Sequence, residues 1–401
     1  MKRLFTLATA GILAAGSLSA QAQVTVDGQL TATEVSATGY TLVGRDTGPR
    51  GFAPSAANDA GLLSLYAAAD ATNIYFFLVA TLQNDGSPAT LSNSLQLLIA
   101  RPGVAGAPIG TQLPRPAAGG TTSFQNFGPF LDMPGDLGIG IKGTAAAAQF
   151  QVDGVVYAAT PAATAGVLSA TVAATGATAL VAGQTGALTV FNGAQVAYRT
   201  AVNLNANPGY GTAGTVGTGA STVPAYGLEI AVSRASIGLV ATGGALKIFA
   251  LQNNSDGGYV SSDFIPQNTG AMPAAYLPNP GTNPDFRLVP GTQAATVTIG
   301  ATTGVVVLGT KAADVAAIAV GIFPNPANGM TTVAYNVGSH ADNVNIVLTD
   351  LLGRQMRVLE NGFQAAGPQS KAVNMENLAA GTYLVRVQVG DKVATRKVVL
   401  L

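Results

Sequence analysis

Phe323-Pro324-Asn325-Pro326 divides the chain, and its reading fixes how both sides are read. Two prolines in four residues set φ twice and push each preceding residue toward extended backbone, so no helix runs through the stretch. It reads as a stiff lead into a strand. Downstream, segments of strand length follow at 331–337, 344–349, 381–389 and 393–400. The turn signals Asn328-Gly329, Asn361-Gly362 and Gly390-Asp391 separate them. Short strands at that spacing predict a small all-β, immunoglobulin-like sandwich over residues 320–401.

Four pieces stand in order within that region. They are Phe323 to Pro326, then Asp350-Leu351-Leu352-Gly353-Arg354, then Asn377 through Gly381-Thr382-Tyr383, and last a basic final strand with Arg396-Lys397. Each has a local physical reason. Asp350 can accept backbone N–H bonds in its turn, and Gly353 can take positive φ. Gly381 opens a strand, and Tyr383 would pack inward while its hydroxyl reaches a partner. Together and in register, the four pieces resemble the type A C-terminal sorting domain of the type IX secretion system of Bacteroidetes. The resemblance implies export through the type IX outer-membrane translocon and a sortase-like peptidase that acts on the domain. The competing reading is an ordinary immunoglobulin-like module with no targeting role.

The front of the chain agrees with export. Met1-Lys2-Arg3 is a positive n-region, residues 4–18 are mostly apolar, and Ala20-Gln21-Ala22 is a cleavage site. Residues 1–22 are therefore expected to be a signal peptide for the Sec translocon, with the mature chain extracellular or on the outer cell surface. No cysteine follows for lipid attachment, and no other stretch offers the apolar length of a membrane span.

Residues 23–310 then form the cargo, with 311–319 as a linker. Charged residues make up 9% of the chain, against about 25% in typical domains. The formal net charge is zero, which argues against nucleic acid, because phosphate binding needs clustered basic groups. The cargo reads as strands throughout. Val24 to Leu30 alternates, and 61–69 and 74–80 form a hairpin around Asp70-Ala71-Thr72-Asn73. Further strands are expected at 94–100, 137–142, 148–152 and 155–158, with Asp153-Gly154 as a hairpin turn between the last two. Others are expected at 167–172, 187–191, 196–200, 226–232, 245–252, 295–299 and 304–309. Ser233 to Gly238 reads as a helical turn capped by Ser233 and stopped by Gly238. The fold class is thus all-β: a large sandwich followed by a small one. Val26-Asp27-Gly28, the Ala69 to Tyr75 hairpin and Glu229-Ile230-Ala231-Val232 with its turn resemble the family 9-like carbohydrate-binding and DOMON-like sandwiches. That resemblance implies a glycan ligand. The group's tryptophan clamp has no counterpart, because the chain has no tryptophan.

Several chemistries are disfavoured. His340 is the single histidine and lies in the sorting region, so a Ser-His-Asp triad and a zinc site lack their residues. No Gly-rich phosphate loop links a strand to a helix. What remains is a carboxylate pair drawn from Asp70, Asp132, Asp136, Glu229, Asp256 and Asp263, as in glycoside hydrolysis. The structural alternative is that these residues hold turns and strands. No cofactor is expected other than calcium, for which Asn253, Asn254, Asp256 and Asp263 offer oxygens around one loop. For a sugar, the loop residues Tyr210 and Tyr259 are the best rings. The leading expectation is a non-enzymatic surface protein that binds glycan or adheres. A hydrolase and a purely structural surface protein are the alternatives.

Overall fold

The computed structural model describes residues 24–35, 39–46, 60–84, 90–118, 120–144, 146, 148–160, 162–201, 207, 224–239, 243–266, 272–289, 293–300, 305–308, 318–338, 342–350, 355–389 and 392–401. The signal region, the 311–317 part of the linker, Tyr210, His340 and Gly353 lie outside them.

Two antiparallel sheets build the cargo. The first runs Thr41–Arg45, Gly61–Ala69, Asn73–Thr81, Ala225–Ser233, Gln195–Arg199, Thr175–Leu180, with Gln29–Leu30 added against Ala225–Ser233. The second runs Ala162–Ala173, Gln149–Ala158, Leu137–Gly143, Ser94–Ala100, Gly244–Asn253, Ala295–Ile299, Val305–Leu308, with Val260–Ile265 against the end of Gly244–Asn253. Their inner faces share one core: Phe76 and Leu78 from the first sheet pack in the same cluster as Leu97, Ile139 and Leu246 from the second. Alternation along each strand puts every second residue into this layer.

The outer faces are apolar as well. Every residue of Gly61–Ala69 is buried, and all but the first of Asn73–Thr81. Leu63, Tyr75 and Phe77 point away from the core and are covered by Val26, Leu30 and Tyr40 of the N-terminal strap. On the other side, Leu98, Phe249 and Leu251 are covered by Phe124, Phe127, Leu131 and Phe286. Burying a large apolar side chain contributes about 1.5–3 kcal/mol, so a few such residues fasten each covering layer.

Three strand-scale readings change. Gln149–Ala158 is one continuous strand through Asp153-Gly154, and its hairpin partner is Ala162–Ala173. Gly154 is needed for space rather than for a turn: a Cβ there would lie 2.8 Å from Phe191 Cε2. Gly186–Phe191 is a 3-10 helix, not a strand, because Leu188 and Phe191, three apart, both drop into the core. Asn361-Gly362 is likewise inside a strand, Gln355–Gln364.

Residues 318–401 have their own sheet and their own core. The order is Gln355–Gln364, Asp342–Asp350, Gly381–Val389, Lys392–Leu400, Gly321–Asn328, Met330–Asn336, Pro368–Asn374. Tyr383, Val385, Val387 and Val389 alternate inward along one strand. The two outermost strands meet: Lys371 Nζ is 2.7 Å from Glu360 Oε2, and the Arg357 guanidinium donates to Asn374 O. Side-chain contacts thus tie the two edge strands together, with no backbone ladder between them.

Two buried charged groups join the cargo elements. Arg234, 1% exposed, donates from Nη1 to Asp70 O at 2.8 Å, from Nε to Leu239 O at 3.0 Å, and from Nη2 to Gly300 O. It thereby links the 69–74 hairpin, the 233–239 turn and the end of the second sheet. Glu229, fully buried, faces the strap. Its Oε2 accepts from Asp27 N at 2.9 Å and Gly28 N at 3.0 Å, and its Oε1 accepts from Tyr40 Oη at 2.7 Å. Glu34, beside it, accepts from Thr25 N and Thr31 N, both at 3.0 Å.

Replacing Arg234 with Met strands one buried and two part-buried carbonyls, and is expected to lower the unfolding free energy by about 3 kcal/mol in urea titration. Glu229 predicts a pH dependence. Burial pushes its carboxyl up to about 8; its three donors pull the other way, and Glu34 adds to the rise. A folded value above the unfolded one gives stability that is complete below the unfolded value and lost as pH climbs toward 8. Thermal melts should fall between pH 5 and 8, with a slope of at most about 1.4 kcal/mol per pH unit. Glu229→Gln should flatten that slope.

Candidate functional site

The sorting motif is on the surface. Phe323, Pro324, Asn325 and Pro326 are all exposed, and they lie inside the strand Gly321–Asn328 rather than ahead of it. Pairing with Met330–Asn336 is irregular between Phe323 and Asn328, which is where prolines are tolerated. Neither proline has an N–H to give, and the Asn325 side chain supplies the missing contacts. Its Nδ2 donates to Lys397 O at 2.7 Å, and its Oδ1 accepts from Val399 N at 2.9 Å. Ala327 then pairs in parallel with Leu400. Arg396 Nε donates to Val320 O at 3.1 Å, whereas the Lys397 side chain is exposed. Tyr383 packs inward and its hydroxyl donates to Ala379 O at 2.7 Å. Asp350 ends the strand Asp342–Asp350, and Gly381 opens Gly381–Val389.

The carboxylates considered for catalysis hold the fold at separate places. Asp70 Oδ1 accepts from Thr72 N and Asn73 N in the hairpin turn, and its Oδ2 accepts from Tyr75 Oη at 2.6 Å. Asp136 forms a fork with Arg101, with Nε–Oδ2 and Nη2–Oδ1 both 2.8 Å. Asp132 accepts from Gln293 N. Asp263 accepts from Leu62 N at 3.0 Å, reaching from one sheet to the other. Glu229 holds the strap.

Around the 253–259 loop, side-chain oxygens also serve the backbone. Asn254 Oδ1 accepts from Tyr259 N at 3.0 Å, and Asp256 Oδ1 accepts from Gly258 N at 2.9 Å. Asp256 Oδ2 accepts from Asn126 Nδ2 at 2.8 Å, and Asn253 Oδ1 accepts from the Ser94 hydroxyl. These contacts tie the loop to its neighbours. Asp263 lies away from them, on the strand Val260–Ile265. Tyr259 is 48% exposed, and its ring rests over Gly281, whose Cβ position would be 3.6 Å from Tyr259 Cε2.

That contact leads to a cluster the sequence did not single out. Three segments lie side by side in the layer that covers the second sheet. Leu113 N donates to Pro129 O, Phe130 N to Pro284 O, and Phe286 N to Phe130 O, at 3.0, 3.0 and 2.9 Å. Phe286 anchors them, with its ring centroid 4.8 Å from Phe249 and 5.1 Å from Phe264. Polar side chains converge above this platform. A Cβ on Gly128 would lie 3.1 Å from Asn283 Oδ1, 3.2 Å from Arg115 Nε and 3.3 Å from Gln112 Nε2. A side chain at this position would press on all three planar head groups, and glycine lets them close without shifting. Arg115 Nη2 donates to Asn283 Oδ1 at 2.9 Å. Next to it the Arg287 guanidinium lies 5.2 Å from the Phe130 ring centroid and grips Asp285 with bonds of 2.8 and 2.6 Å. The Arg287 bonds hold the Asp285 carboxyl below the usual carboxylate range. Arg115 and Asn283 are 168 positions apart in sequence and individually bland, so only the fold assembles them.

Comparison with known families matches residues 321–401 to the secretion system C-terminal sorting domain. No curated protein matches the chain. Among solved structures, dimeric latent PorU from Porphyromonas gingivalis aligns at 12% identity and a TM-score of 0.18, over 90% of this chain and 34% of that one. PorZ, a surface component of the type IX system of the same organism, aligns at 12% identity and a TM-score of 0.16, over 70% of this chain and 39% of that one. A tetra-tandem repeat from the extending region of a large adhesion protein aligns at 11% identity and 0.16, over 86% and 82%. The chain thus spans between a third and two fifths of the length of the first two, and superpositions this loose carry no argument. Among the described residues no helix is long and apolar enough to cross a membrane. The family match carries the assignment: residues 321–401 are a type IX sorting domain, and the protein is exported to the cell surface or the extracellular space.

Proposed function

We propose that the cargo is a non-enzymatic β-sandwich that binds glycan at the outer cell surface. The observation that carries this reading is the convergence of Gln112, Arg115 and Asn283 above Gly128, on the same covering segment that supports the exposed Tyr259 ring. Planar polar groups beside an aromatic ring suit a sugar, which has hydroxyls at its edge and an apolar face. A non-enzymatic role is supported by the separate structural duties of the Asp and Glu side chains; inverting and retaining hydrolysis both need two carboxyl groups facing one bond. The export route begins with a Sec signal at residues 1–22. It continues through the type IX outer-membrane translocon, where a sortase-like peptidase acts on the sorting domain.

Two measurements check this reading. Truncation at residue 320 should leave the cargo folded but retained inside the outer membrane, as read by cell fractionation; unimpaired export of the truncated chain would contradict the route. Polysaccharide binding by the secreted protein should be saturable and accompanied by no turnover. It should weaken about tenfold (~1.4 kcal/mol) in Tyr259→Ala, and a calcium arm tests whether the 253–263 loop contributes. Cleavage abolished by a single carboxylate substitution would favour the hydrolase instead.

A further inference from the structure

We propose that the platform selects acidic sugars, with Arg115 as the residue that reads the sugar carboxylate. The inference rests on the glycan-binding reading and assigns it a ligand class.

The arginines of this side of the molecule are held differently. Arg287 is committed: its Nε and Nη2 form a two-bond fork on Asp285, and its face covers Phe130. Arg101, the other forked arginine, is spent on Asp136. Arg115 differs. Its side chain is exposed, its Nη2 is held by the neutral amide oxygen of Asn283, and no described carboxylate pairs with it. A guanidinium is a rigid, planar set of donors matched to the two oxygens of a carboxylate. Here Nη2 is held by Asn283, and Nε lies over the open side of Gly128, 3.2 Å from where a Cβ would stand. Asn283 is itself held in the left-handed region, at φ 48°. Gln112, beside it, adds an amide able both to donate and to accept, suited to a ring hydroxyl.

Charge explains why this acts on selectivity. The chain has no net charge and only 9% charged residues, so no broad positive field draws in polyanions. An exposed ion pair contributes little affinity by itself. Stacking and hydrogen bonds would supply the binding, and Arg115 would decide between a free carboxylate and its neutral ester.

The test uses the full secreted chain and three polymers: polygalacturonate, its methyl ester and neutral dextran. The expected result is about a tenfold preference for the acid over the ester. Arg115→Gln should erase that preference, bringing acid binding down to the level of the ester, while the melting temperature stays unchanged. Arg115→Lys, which keeps the charge but loses the fork, should fall between, and it also serves if the Gln variant folds poorly. Equal binding of acid and ester by the wild type would overturn the acidic-sugar inference and leave the glycan reading standing. A preference that survives both substitutions would overturn the role of Arg115. Binding to none of the three polymers would overturn the inference, and a blank across a wider neutral glycan panel would take the glycan reading with it.

Discussion

A sheet that is apolar on both faces has to be covered twice. Gly61–Ala69 and Asn73–Thr81 are buried along nearly their whole length, and Ser94–Ala100 and Gly244–Asn253 carry the same double burden in the facing sheet. The sandwich core satisfies one side of each. The other sides require extra layers, and the chain supplies them as irregular segments: residues 24–35 and Tyr40 over the first sheet, and 107–118, 120–133 and 272–289 over the second. The covering layers are therefore obligatory parts of the fold. Surface chemistry mounted on them inherits a rigid base, which is what a binding site built from loops needs.

The two layers are fastened differently. The N-terminal strap is held by a buried carboxylate, Glu229, that accepts two backbone N–H groups and a tyrosine hydroxyl. Its attachment responds to protons, because burial opposes the charged form. The opposite layer combines aromatic packing around Phe249, Phe264 and Phe286 with a buried carboxylate of its own, Asp153, which accepts from Ser123 N at 2.7 Å and whose pKa burial also raises. In the sorting domain a third solution appears. Asn325 lends its amide to the backbone of Lys397 and Val399 where Pro324 and Pro326 cannot donate. The surface motif that marks the domain is thereby tied to its final strand.

Much of the strand order along the chain was legible, since alternation and long apolar runs report strands directly. The hairpin around Asp70, the turn after Ser233 and the inward Tyr383 with its bonded hydroxyl stand as the residues suggested. Two of the misreadings placed turns inside strands. Asp153-Gly154 and Asn361-Gly362 carry turn chemistry but lie mid-strand, Gly154 because Phe191 and Leu168 leave no room for a Cβ. At Gly154 a local turn signal gave way to packing from distant residues, and Asn361-Gly362 pairs in register with Asn345 and Val344 of the neighbouring strand. The sorting motif was legible because its pieces are fixed in order over a short span. The platform was not, because Gln112, Arg115 and Asn283 acquire meaning only when the pairing of their segments gathers them around Gly128. The three cargo fragments quoted for the sandwich resemblance meet through Glu229 and Arg234, which link the strap, the hairpin and the 233–239 turn.

The central claim is that the aromatic-anchored covering layer of the second sheet is the binding surface. Hydrogen–deuterium exchange on the full chain, with and without a saturating polygalacturonate fragment, tests it most directly. The account predicts ligand-induced protection confined to residues 110–130 and 279–287, with the strap and the sorting domain unchanged. Protection centred on the strap over Glu229, or on the sorting domain, with none at residues 110–130, would contradict it.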